Sequence, residues 1–113
     1  MQVTVNYRQN LQFEATSRNH RILSDQPTTN GGDDQGMTPP EWFLSSLGSC
    51  VGFYAVKYCE ARKINTTGLS IEVSGEKTTN SPTRLDNIDI RINLNAELDD
   101  RHRHGDPIIG GRN

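Results

Sequence analysis

The sequence predicts an α+β protein, and three observations carry that expectation. Residues 3–8 alternate apolar and polar with the period of a strand, and a second alternating pair fills residues 69–94. Between them, one stretch carries both the 3.6-residue period and the start signals of a long helix. The strands come as hairpin-like pairs, which makes the expected sheets antiparallel.

Val3, Val5 and Tyr7 alternate with Thr4, Asn6 and Arg8, and Leu11 and Phe13 resume the period after Gln9-Asn10. That pattern reads as a hairpin or a bulged pair of strands. Arg21 to Leu23 suggests a third short strand. Ser24 to Gly36 is rich in Asp, Asn, Gly, Gln and Thr and reads as a flexible loop leading to the helix. There Thr38 can cap, Pro39 and Pro40 occupy the first turn where a missing N–H does no harm, and Glu41 stands three residues past the cap. Trp42, Phe43, Leu44, Leu47, Val51, Tyr54, Ala55 and Tyr58 then follow helical spacing until Glu60, Arg62 and Lys63. A rod of roughly 33 Å follows from 1.5 Å per residue. Being apolar over much of its circumference, it should lie in the middle of the structure.

Leu69, Ile71 and Val73 alternate with Ser70, Glu72 and Ser74, and a turn is expected near Asn80-Ser81-Pro82. Ile88, Ile90, Ile92 and Leu94 alternate with Asp89, Arg91 and Asn93, so the pair should lay one face on the helix and leave the other wet. From Asp99 the pattern stops. Residues 1–98 therefore read as the domain and 99–113 as an irregular, mobile tail.

At 113 residues the chain suits one compact domain. Only 32% of it is apolar and 6% aromatic, and its mean hydropathy is −0.72. A lone subunit would bury a thin core, a shortage that dimerisation relieves. Twelve Lys and Arg against 14 Asp and Glu give a formal charge of −2. There is no basic excess for a phosphate backbone, so nucleic acid is not an expected partner. No stretch approaches the roughly 18 apolar residues of a membrane span, and the N-terminus lacks a secretion signal. A cytoplasmic location with two free thiols is expected.

Cys50 sits in mid-helix within Ser45-Ser46-Leu47-Gly48-Ser49-Cys50-Val51-Gly52. Two helical glycines each cost about 1 kcal/mol of propensity, so something must approach closely there. The thiol is either a small buried hydrophobe or a reactive group beside a groove. Cys59 lies nine residues on, on the opposite helical face and about 13.5 Å along the axis, which excludes a disulfide within one helix and suggests a structural role. A reactive Cys50 needs a cation, because mid-helix it is denied the N-terminal dipole. Arg8, Arg18, His20 and Arg21 are candidates, and Glu41 could orient a guanidinium, although the capping box also explains Glu41. His102 and His104, with Asp99, Asp100 and Asp106, have metal-ligand types, but interleaved arginines argue against a site, and no metal is expected.

Taken together, Phe13-Glu14-Ala15, Ser17-Arg18-Asn19-His20, Leu23-Ser24-Asp25 and Pro40-Glu41-Trp42-Phe43-Leu44 running into Leu47-Gly48-Ser49-Cys50 resemble the OsmC and organic hydroperoxide resistance superfamily, leaning toward its OsmC-like branch. The similarity spans roughly Val3 to Leu98. It implies an intertwined homodimer in which long central helices pack between curved antiparallel sheets. It also implies thiol-dependent reduction of hydroperoxides, without a cofactor, in oxidative-stress defence. Cys50 matches the peroxidatic cysteine and Glu41 the glutamate that holds an activating arginine. Arg18 is the first choice for that arginine and Arg8 the second, and His20 matches a histidine position without an assigned role. The family's second helix with its resolving cysteine has no counterpart after Leu94, so an external thiol, or Cys59 of another subunit, is the expected reductant. The alternatives are a non-catalytic module that binds a small ligand or protein beside Gly48 and Gly52, and a structural member of the family.

Overall fold

In the computed structural model, which describes residues 1–79 and 82–94, the chain forms two compact units, one from Met1 to Phe43 and the other from Leu44 onward. The α+β expectation holds, with antiparallel sheets and one main helix. The first unit carries β1 (Thr4–Tyr7), β2 (Phe13–Ser17) and β3 (His20–Ser24) in the order β1-β2-β3. The Gln9-Asn10 break is the first hairpin turn, closed by hydrogen bonds from Arg8 N to Gln12 O and from Gln12 N to Gln9 O, with Asn10 in the left-handed region. Asparagine tolerates that conformation better than most residues.

Register sorts the side chains by face. Tyr7 pairs with Phe13, and Val5, Ala15 and Ile22 form the next row, so one face is apolar. Tyr7 and Phe13 rings meet at 5.5 Å. Glu14, between Asn6 and Leu23, lies on the other face and takes ion pairs from Arg8 at 3.5 Å and Arg21 at 3.7 Å. The apolar face is uncovered, with Val5, Tyr7, Phe13 and Ile22 between 41% and 61% exposed.

The helix α1 (Pro39–Ala61) starts as its sequence dictates. Thr38 N donates to Glu41 Oε1 at 2.9 Å while Glu41 N donates to Thr38 Oγ1 at 3.4 Å, a reciprocal capping box. Past Ala61, Lys63 adopts a positive φ and Ile64 N reaches back to Cys59 O, terminating the helix. The second unit also holds β4 (Ser70–Lys77) and β5 (Leu85–Asn93), paired antiparallel. Ile71 faces Ile92 and Val73 faces Ile90 on one side, with Glu72 opposite Arg91 on the other. The apolar side meets the helix at Gly48 and Gly52, and the polar side is wet, as the alternation predicts. A bulge in β5, where Asn87 and Ile88 stand opposite Gly75 and Asn87 takes a φ of 55°, shifts the register.

Along α1 the buried residues are Gly48, Ala55 and Cys59, while Phe43, Phe53 and Tyr54 are about half exposed. Periodicity marks apolar positions but does not say which of them the chain covers. One expectation needs correction. Residues 24–36, read as a flexible loop, are tied into a network around a buried aspartate, described below. The turn residues Asn80 and Ser81 and the tail 99–113, with His102 and His104, lie outside the described residues.

Candidate functional site

Helical rotation separates the two cysteines. Nine residues at 100° each put them on opposite faces. Cys50 is exposed, Cys59 is 4% exposed, and both are free thiols. Burial pushes the Cys59 thiol above its ordinary range, with Arg62 offsetting part of the rise. A thiol that is both covered and harder to ionise is a poor nucleophile, so Cys50 is the accessible sulfur.

The glycines that flank Cys50 have an internal explanation. A Cβ on Gly48 would stand 3.0 Å from Val73 Cγ2, and one on Gly52 would stand 3.4 Å from Ile71 Cγ1. The close approach inferred from these small residues is therefore that of the chain's own β4, and the groove considered as a ligand seat beside them is filled. Cys50 points elsewhere, onto the exposed stripe that continues through Phe53, Tyr54 and Lys57. Phe53 and Tyr54 pack edge to face at 5.2 Å, and Lys57 lies 5.8 Å above the Phe53 ring. Lys57 also pairs with Glu60 at 3.7 Å. Spacings of three, four and seven place these side chains on one side of α1 with the thiol, a grouping that the apolar periodicity alone did not single out.

Glu41 and Arg18 belong to the first unit and Cys50 to the second. The Glu41 carboxylate accepts both the backbone N–H and the hydroxyl of Thr38, at 2.9 and 3.1 Å. Arg18 occupies the β2–β3 turn with φ of 56°, an exposed position where an arginine is held in the left-handed region. It makes no hydrogen bond or ion pair among the described residues. Arg8 and Arg21, the other arginines considered, both pair with Glu14, and His20 is exposed at the start of β3. Among the described residues no group of three or more His, Cys, Asp or Glu is arranged to hold a metal.

The residue that the sequence did not expose is Asp25. It is 1% exposed, and its carboxylate accepts N–H groups from Gln26 at 2.7 Å, Asp33 at 3.4 Å and Gln35 at 3.0 Å, together with the Gln12 side-chain amide at 3.3 Å. Burial alone would raise its pKa, but the three backbone donors and the Gln12 amide together outweigh that and hold the carboxyl below its ordinary value.

The fold and site define an α+β protein that displays one accessible thiol on the outward side of its long helix. Residues 31–104 match the family described as OsmC-like protein, and the chain belongs to that family. Among solved structures it is similar to a candidate osmotic stress induced and detoxification response protein from Psychrobacter arcticus 273-4. The two share 28% identity over 88% of this chain and 73% of the other, with a TM-score of 0.77. No curated protein matches the sequence.

Proposed function

We propose that this protein reduces organic hydroperoxides through Cys50 at the expense of an external thiol, in a detoxifying response to oxidative stress. One observation carries the reading: Cys50 is a free, exposed thiol on the long helix, inside the segment that matches the OsmC-like family. The description of the Psychrobacter arcticus protein as stress-induced and detoxifying supports the same direction.

The chemistry balances with two electrons from sulfur. The Cys50 thiolate attacks the terminal oxygen of R–O–O–H, the S–O bond forms as the O–O bond breaks, and the departing alkoxide takes a proton to become an alcohol. Cys50 is left as a sulfenic acid. An external thiol then attacks that sulfur and expels water, and a second thiol releases Cys50 and leaves a disulfide of the reductant. Phe53 and Tyr54, one turn from the thiol, offer apolar surface to the organic part of the substrate. Glu41 orients an arginine beside the sulfur, and Arg18 takes that part because Arg8 is engaged by Glu14. The partner is a second copy: the uncovered face of Val5, Tyr7, Phe13 and Ile22 and the exposed aromatic residues of α1 suit an intertwined homodimer with curved sheets. No described helix is long and apolar enough to cross a membrane, and the proposed location is the cytoplasm.

The test is consumption of cumene hydroperoxide and hydrogen peroxide with a dithiol reductant, beside Cys50→Ser and Cys59→Ser. Turnover lost in Cys50→Ser and kept in Cys59→Ser is expected. A Cys50 that is not oxidised even in a single turnover would sink the proposal.

A further inference from the structure

The segment between β3 and α1 is organised by one ionised side chain. Asp25 Oδ1 holds the backbone of Gln26 and Asp33, and Oδ2 holds the backbone of Gln35 and the amide of Gln12. The same Gln12 amide reaches Asp33 Oδ2 at 3.5 Å, and Asn10 reaches that atom at 3.3 Å and Gly31 O at 2.9 Å. The first hairpin turn is thus joined to the far side of the segment. Asp25 N donates to Met37 O at 3.1 Å, and Ser24 bridges Met37. Leu23 O accepts the Trp42 indole N–H at 3.3 Å. Gly32 and Gly36 pass so close to the carbonyls of Gln26 and Leu23 that a Cβ on either would overlap the oxygen.

This path ends at Thr38, whose N–H and hydroxyl both donate to Glu41 Oε1. We infer that Asp25 is a positioning residue for Glu41: its carboxylate fixes Gln35 and its backbone fixes Met37, so the cap at Thr38, and with it the Glu41 carboxylate, stands in one place. The catalytic consequence rests on the proposed role of Glu41 in hydroperoxide reduction, whereas the structural consequence does not. All of the groups concerned lie in the first unit. A buried carboxylate with four donors is a costly feature for a mere connecting loop, and a short apolar turn would join β3 to α1 with less desolvation. What the costly version supplies is a single defined geometry at the helix start.

The experiment uses the full chain with Asp25→Asn, Glu41→Gln, the double variant and Gln12→Leu, which removes one donor and spares the aspartate if Asp25→Asn fails to fold. Amide hydrogen exchange is followed at Gln35 and Thr38, and the single-turnover rate of Cys50 oxidation by cumene hydroperoxide is measured in each. The expected result is exchange at both amides faster by at least about tenfold in Asp25→Asn, and a smaller change of the same sign in Gln12→Leu. Oxidation should slow in Asp25→Asn but fall no further when that change is added to Glu41→Gln, because the two act through one group. A purely structural loss would slow the Glu41→Gln background as well, and that additivity would overturn the inference. So would a Thr38 amide that keeps its protection while Gln35 loses it, whatever the catalytic result. A wild-type Cys50 that is never oxidised would defeat the peroxidase reading separately, leaving the positioning role to the Thr38 amide.

Discussion

Replacing Gly52 by alanine should stabilise this protein, and the same change at Gly48 should not. Both glycines lie inside α1, where alanine gains about 1 kcal/mol of helix propensity. At position 52 the added methyl meets Ile71 Cγ1 at 3.4 Å, an ordinary contact, so most of that gain should survive. At position 48 the methyl meets Val73 Cγ2 at 3.0 Å. Valine is stiff about χ1 and cannot swing away, so relief requires the strand or the helix to move, which costs about 1 to 3 kcal/mol. The expected net change is a loss of about 0 to 2 kcal/mol, against a gain of about 0.5 to 1 at position 52. Urea unfolding at one fixed protein concentration separates them, because the apparent stability of the proposed homodimer would depend on concentration. With a slope near 2 kcal/mol per molar, a difference of 1 kcal/mol moves the midpoint by about 0.5 M. The coupling is checked by adding Gly48→Ala to Val73→Ala, where the obstructing methyl is gone and the change should become stabilising. If Gly48→Ala raises the midpoint of the otherwise unaltered protein as much as Gly52→Ala does, the close approach of β4 to α1 is refuted.

Other outcomes follow from the same geometry. Gly32→Ala drives a Cβ into the Gln26 carbonyl and to 2.8 Å from Asp25 Oδ1, and a loss of about 3 kcal/mol is expected in thermal unfolding, with an unchanged midpoint as the contrary result. Because the folded pKa of Asp25 is lowered from 3.8, its stabilising contribution is full above that value and disappears as pH falls through the folded pKa. The unfolding temperature should therefore drop below about pH 4 in the wild type. Asp25→Asn should show a shallower drop, and equal acid slopes would contradict the assignment. A maleimide should label Cys50 rapidly in the native protein and Cys59 only after denaturation, as peptide mapping would read. Thr38→Ala should cost about 1 kcal/mol through loss of the cap, measurable by the same urea titration.

Local signals in the sequence were enough for several features. The capping box at Thr38 and Glu41 is written within four residues, and the helix begins where that signal places it. Strand alternation needs only neighbours two apart, so the faces of β4 and β5 were legible, with Ile71 and Val73 turned to the helix. Rotation by 100° per residue was sufficient to set Cys50 and Cys59 on opposite sides, and burial then distinguishes them. What tertiary structure alone decided is non-local. Asp25 draws donors from residues 1, 8, 10 and 13 positions away, and a composition rich in Asp, Gly and Gln looks the same in such a network as in a loose loop. The engagement of Arg8 and Arg21 by Glu14, which leaves Arg18 uncommitted, depends on strand register. The glycines at 48 and 52 announced a close approach, but only the packing of β4 showed what approaches, because periodicity records which faces are apolar and carries no information about which distant segment covers them.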